Sequence, residues 1–182
     1  MNKLQSSYSN DYFKFRPIEF EDIDNIRIWR NSQKKFLRQK NNISYQNQLD
    51  YWSNHILPSF DVKEPDQLLF CLEDCLTNEL LAYGGLVHIN WKKKYAESSF
   101  LANTIYTKRI KKYEHLLTSY LDFLMNVAEQ LNFSCIYSET YSFRFQHIEI
   151  IENYGYVQYG NLNKKTNPDN FSILHQFLLK NE

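Results

Sequence analysis

The 182-residue chain carries no net charge: 21 Lys and Arg balance 21 Asp and Glu. Such a balance gives no general attraction to nucleic acid or to an anionic membrane surface, so neither is expected as a partner. Cysteine is scarce and odd in number. Cys71, Cys75 and Cys135 offer one C-x3-C spacing with no second pair, too few ligands for a structural zinc site, and no metal is expected. Free thiols in a reducing compartment are the simpler reading. Long apolar runs are missing as well. None approaches membrane-spanning length, and the opening MNKLQSSYSNDY has no apolar stretch that would act as a signal peptide. The expected location is therefore cytoplasmic. No internal repeat or low-complexity linker divides the chain. The expected organisation is a loose polar arm over residues 1–11 followed by one domain over residues 12–182.

What is present suits a sizeable core. Apolar residues make up 43% of the chain, and 14 Tyr and 13 Phe accompany only three Trp. Tyr and Phe fit a half-buried pleated surface, so strands should hold many of them. Tyr12 to Ile18 alternates as a first strand that closes near Pro17. Glu19, Glu21, Asp22 and Asp24 then precede Ile23, Ile26 and Trp29, a helix start with negative charge at its positive dipole end. Ser44 is a candidate N-cap for a second helix, with Tyr45, Leu49, Trp52 and Ile56 on one face and Pro58 as its stop.

Strands follow at Gln67 to Glu73, at Leu80 to Trp91 (broken by Gly84-Gly85), and, after a polar Lys92-Lys93-Lys94 tip, at Tyr95 to Ala102. Tyr113, Leu116, Leu117, Tyr120, Leu121, Leu124, Val127, Ala128 and Leu131 mark one face of a long helix. A strand at Ser134 to Glu139, a helix near Phe145 to Glu152, and strands at Tyr156 to Gly160 and Phe171 to Leu179 complete the chain. The order β-α-α-β-β-β-α-β-α-β-β predicts a single α/β (α+β) domain. Its mixed sheet has about seven strands, with helices on both faces.

That order resembles the GNAT superfamily of N-acetyltransferases. The stretch F-R-P-I-x-F-x-D-I from Phe15 to Ile23, and I-R-x-W-R-N from Ile26 to Asn31, are similar to the branch of ribosomal-protein and nucleotide-amino-sugar acetyltransferases. Tyr83 to Asn90, Ala96 to Leu101, E-T-Y at Glu139, and Glu152 to Tyr156 with Gly160 fit the same branch. The resemblance implies acetyl-CoA as co-substrate, held in a V-shaped splay between the fourth and fifth strands. The edge at Phe100, Leu101 and Ala102 would take the pantetheine arm, and the helix start with Arg109, Lys111, Lys112 and Tyr113 would take the pyrophosphate. Two departures stand out. The family's glycine-bearing phosphate loop R/Q-x-x-G-x-G/A is here Arg109 to Glu114, with the Arg and neither Gly. The tyrosine that protonates the leaving thiolate in many relatives is replaced by Ile151.

Acetyl transfer needs a neutral amine and a base within reach, directly or through water. Glu139, at the end of its strand, and Glu97 are the candidate bases. His88 is a weaker one, and His147 equally so, since a lone His on an apolar face is commonly a core residue. The resemblance places the first two helices along the acceptor wall. Arg30 and Arg38 are then candidates to clamp a phosphate or carboxylate, with Asn31 beside them. Gly85 is a candidate for a bulge or for close approach of a ligand. The expected acceptor is the primary amine of a nucleotide-linked amino sugar. A protein N-terminus, and a non-catalytic acyl-CoA-binding module, stand as alternatives. The C-terminal strands are where a homodimer would form.

Overall fold

The protein is described here by a computed structural model covering residues 7–164, 166 and 171–179. Eight strands form one sheet in the order β1-β2-β3-β4-β5-β6-β8-β7. They are β1 (Tyr8–Ser9), β2 (Phe13–Pro17), β3 (Leu68–Asp74), β4 (Leu80–Asn90), β5 (Tyr95–Ala102), β6 (Cys135–Tyr141), β7 (Val157–Leu162) and β8 (Ser172–Leu178). The helices are α1 (Ile23–Ser32), α2 (Tyr45–Tyr51), α3 (Leu57–Ser59), α4 (Ile110–Gln130) and α5 (Phe145–Tyr154). The seven expected strands are all found. The eighth is the short β1, which pairs antiparallel with Lys14 and Phe15. Part of the stretch read as a loose arm thus belongs to the sheet, while residues 1–6 lie outside the described residues.

Side-chain alternation sorts the sheet into two faces. Leu68, Phe70, Leu72, Ala82, Leu86, Ala96 and Ala102 pack with α4 and α5. Cys71, Tyr83 and Leu101 point the other way and pack with Ile23, Ile26 and Trp29 of α1 and with Trp52 and Ile56. Strands buried on both faces need helices on both, which is why the apolar runs of β3 and β4 are nearly continuous. In α4, Leu116, Leu117, Tyr120, Leu121 and Leu124 are buried at helical spacing. Each such side chain contributes about 1.5–3 kcal/mol on burial.

Ser44 does cap α2, through a capping box with Asn47. Pro58 is not the immediate stop it was expected to be. Trp52–Ile56 widens into a π-helical turn, and the chain continues through α3 to Ser59. Pro has no N–H to give to the preceding turn, and a locally widened helix accommodates that gap.

The F-R-P-I-x-F-x-D-I motif has a structural explanation. Arg16 donates Nη1 and Nη2 to the two oxygens of Asp22 at 2.7 and 2.9 Å, and Nε to Glu73 at 2.7 Å. All three groups are buried. Asp22 also accepts from the Glu19 backbone and the Cys71 thiol. The pair therefore ties the start of α1 to β2 and β3. Burial alone would raise the Asp22 pKa, but the bonds from Arg16 and Glu19 overcome it and hold it below its ordinary 3.8.

An Asp22→Ala variant strands a buried guanidinium and should lose about 3–5 kcal/mol in urea unfolding. Since the folded carboxyl has the lower pKa, its stabilising contribution is complete above the ordinary value and is lost as pH falls through the folded one. Wild type should therefore lose stability in acid more steeply than Asp22→Ala. Parallel acid titrations of the unfolding free energy check this.

Candidate active site

The sheet contains a deliberate gap. β5 and β6 run parallel but pair only at Tyr95–Cys135, Ala96–Ile136 and Glu97–Tyr137. Beyond Glu97 the two strands share no rung, although β5 continues to Ala102 and β6 to Tyr141. This is the expected splay, between the strands read as fourth and fifth, and it opens a passage from one face of the sheet to the other. A cavity of about 100 Å³ occupies it. Phe100, Leu117, His147 and Ile151 line it from the α4–α5 face, and Arg38, Glu97 and Glu139 from the α1–α2 face.

The three charged residues meet there. Alternation puts Glu97 and Glu139 on the same face, and Arg38 arrives from the loop after α1. Its Nη2 donates to Glu97 Oε1 at 2.6 Å and its Nη1 to Glu139 Oε2 at 2.9 Å. Burial works against the Arg38 charge, yet the bonds and fields of the two carboxylates raise its pKa above the ordinary value. The Glu97 side chain is only 6% exposed, and its second oxygen, Oε2, is buried with no hydrogen-bond partner among the described residues. His88 Nε2 lies 3.7 Å from that oxygen, beyond a hydrogen bond. Tyr137, paired with Glu97 across the gap's last rung, has its pKa pushed up to about 12 by burial and by the Glu97 charge, so it stays a neutral phenol.

His88 reaches the cluster because β4 is irregular there. The β4–β5 register shifts between Val87 and Asn90, and His88 adopts a φ of 50°. The bulge expected at Gly84-Gly85 therefore lies just downstream. The glycines answer to a different constraint. A Cβ on Gly84 would come within 1.9 Å of the Ser99 carbonyl oxygen, and one on Gly85 within 1.9 Å of that of Leu68. Gly85 faces the neighbouring strand and is not among the residues lining the cavity.

Arg30 and Asn31 also depart from expectation. Arg30 Nη1 donates to the Tyr83 hydroxyl at 2.9 Å, so it is bound over the sheet and lies outside the cavity lining. Asn31 uses both ends of its amide on the Ile43 backbone and takes a further bond from Gln39. It holds the segment that presents Arg38 and does not itself reach the cavity.

On the opposite face a larger cavity of about 480 Å³ adjoins the first. Gln33, Phe36, Thr107, Tyr113, Phe143, Arg144 and His147 are among its walls. Of the residues read as cofactor contacts, Phe100 and Tyr113 line these spaces. Leu101 packs in the α1–α2 core, and the Ala102 carbonyl accepts from Gln33 Nε2 at 2.9 Å. Arg109 is the residue before α4, and it and Lys111 are exposed at that helix start. Lys112 instead turns its ammonium over the rings of Phe13 and Tyr106. Gln33 and Arg144 gave no signal of this role in the sequence, since isolated polar residues at helix ends have no distinguishing spacing.

The sequence matches the family described as "Acetyltransferase (GNAT) domain" over residues 15–172. No curated protein matches it significantly. Among solved structures, spermidine N-acetyltransferase from Vibrio cholerae in complex with CoA and spermine superposes with a TM-score of 0.76 at 17% identity, over 93% of this chain and 96% of that one. A dodecameric intermediate state of the same enzyme gives 0.72 at 18% identity, over 93% and 95%. At these identities the likeness is one of fold.

Removing the Asn31 amide frees Ile43 and Gln39. Asn31→Ala should lower stability by about 1–3 kcal/mol and speed amide hydrogen exchange selectively across residues 36–43. Unchanged exchange in that segment would contradict the assignment of Asn31 as its anchor.

Proposed function

The chain belongs to the GNAT acetyltransferase family, and on that footing we propose that it transfers the acetyl group of acetyl-CoA to the primary amine of a nucleotide-linked amino sugar. The observation that carries the amine half is the Glu97 carboxylate, which lines the gap in the sheet and whose Oε2 is buried with no hydrogen-bond partner among the described residues. An incoming amine supplies the missing hydrogen. Glu97 then takes the proton as the nitrogen attacks the thioester carbonyl, and Glu139, on the same Arg38 fork, orients the acceptor. His88, exposed and with Nε2 3.7 Å from Glu97 Oε2, offers the proton a way to solvent.

The acceptor's other half is read from charge. Residues 25–49 contain Arg27, Arg30, Lys34, Lys35, Arg38 and Lys40 and not one Asp or Glu. Arg27 is paired with Asp24, Arg30 with Tyr83 and Lys34 with Asn42, while Lys35 lies over the Phe36 ring, so Lys34, Lys35 and Lys40 add positive charge to the segment that presents Arg38. A cationic rim above a carboxylate floor suits a molecule with one amine and a diphosphate. A polyamine, the substrate named for the Vibrio enzyme, is cationic throughout and would be repelled by that rim.

The acyl donor enters from the other face. The 480 Å³ cavity leads to the gap, and the unpaired amides at the start of α4, with exposed Lys108, Arg109 and Lys111 around them, suit a pyrophosphate without the glycines of the usual loop. Acetyl-CoA at 100 times its Kd should stabilise the protein by about 2.7 kcal/mol, seen as a rise in Tm. No shift would remove the donor.

Thiol release with nucleotide amino sugars, spermidine and short peptides tests the acceptor, with the sugars expected to turn over best. Turnover of spermidine or peptides alone would overturn the sugar assignment, and turnover of none would leave an acyl-CoA-binding module. Glu97→Gln should cut kcat by about 10²–10⁴ while the acetyl-CoA thermal shift persists.

A further inference from the structure

The geometry points to His147, fixed by Tyr113 and Arg144, as the group that protonates the departing CoA thiolate in place of the tyrosine this chain lacks at Ile151. The inference rests on the acetyl-transfer reading above. Ile151 is buried on α5 and lines the inner cavity. His147 sits one turn earlier on the same helix face and lines both cavities, as Arg144 does. That places the pair, with Phe36, where the two cavities adjoin.

The hydrogen bonds around His147 admit one arrangement that makes it a proton donor. Arg144 Nη2 lies 3.1 Å from the Tyr113 hydroxyl oxygen, and a guanidinium can only donate. The hydroxyl oxygen therefore accepts from Arg144, and its own hydrogen is free to point to His147 Nδ1, 2.8 Å away. In that arrangement Nδ1 accepts and the imidazole proton sits on Nε2, the tautomer on which the proposal rests. Among the described residues Nε2–H meets no protein acceptor. Burial, then the Arg144 and His175 charges, keep the ring's pKa well below the ordinary histidine value, so it is present as the neutral tautomer. The result is an oriented N–H donor with a reserve proton behind it.

In the step itself the tetrahedral intermediate collapses and its C–S bond breaks, the electron pair going to sulfur. Sulfur takes the proton from His147 Nε2. Nδ1 takes the Tyr113 proton; burial raises that phenol's pKa and the Arg144 guanidinium only partly offsets the rise, so the phenolate is short-lived and solvent restores the proton. The amine's own proton has already gone to Glu97, so the ledger balances with CoA–SH and amide as products.

The test compares wild type, His147→Gln, Tyr113→Phe and the double variant His147→Gln/Ile151→Tyr, by steady-state thiol release from acetyl-CoA. His147→Gln should lower kcat by about 100-fold or more with KM for acetyl-CoA within about threefold, and Tyr113→Phe by about tenfold. The double variant, which puts a phenol where relatives have one, should regain at least about tenfold over His147→Gln. A purely structural histidine would not be rescued in this way. A kcat within threefold of wild type in His147→Gln, or no rescue by the double variant, overturns the assignment. If His147→Gln does not fold by circular dichroism, Tyr113→Phe decides alone, and unchanged kcat there overturns it. Wild type that releases no thiol with any amine would instead sink the acetyl-transfer reading, and this inference with it.

Discussion

Everything that can act in this molecule depends on the three-rung pairing of β5 with β6. Parallel strands in an open sheet ordinarily pair along their shared length, because an unpaired buried backbone costs about as much as a lost hydrogen bond. Here pairing ends at Glu97 and Tyr137, and the strands diverge. The two long apolar clusters, one on each face, hold the sheet open on both sides of the gap. α4 and α5 wall it on one side, while α1 and the segment after it close the other. A sheet that normally separates two layers becomes the place where they communicate.

The electrostatics follow from that opening. One guanidinium spans a carboxylate at the last rung of β5 and one on β6 just beyond it, so Arg38 bridges the strands where backbone pairing ends. Its anchorage is indirect, through Asn31 and the Ile43 backbone. The Arg16–Asp22–Glu73 cluster plays a similar part at the other end of α1, fully buried and remote from the gap. The first ion network is half open to solvent and adjustable, and the second fixes the wall from which the first is presented.

Much of this was legible in the chain itself. The strand and helix order, the Tyr95–Ala102 strand and the long apolar face of α4 follow from period-2 and period-3.6 patterning and were placed within a few residues. Glu97, Glu139 and Arg38 were read as site residues separately, and their meeting is a matter of tertiary register that no local pattern carries. The partners of Gly85 and Arg30, the Leu68 carbonyl and the Tyr83 hydroxyl, were hidden for the same reason: they come from other strands. The π-helical turn at Trp52 and the pairing of Tyr8 with Phe15 are tertiary accommodations to Pro58 and to a sheet edge. His147 carried almost no signal, because an isolated histidine on a helix gains meaning only from the hydroxyl and guanidinium that happen to face it.

The unpartnered oxygen of Glu97 has a consequence for how such a protein evolves. A buried carboxylate with one unmet oxygen lowers the stability of the empty fold by something on the order of 1–3 kcal/mol. Selection for robustness alone would replace it with an apolar or fully bonded side chain, and the loss would be silent in any screen that scored only expression or melting. Under the proposed role of Glu97, the unliganded protein is less stable than its scaffold allows. On that proposal, a neutral residue at 97 would make the fold hardier and end turnover together.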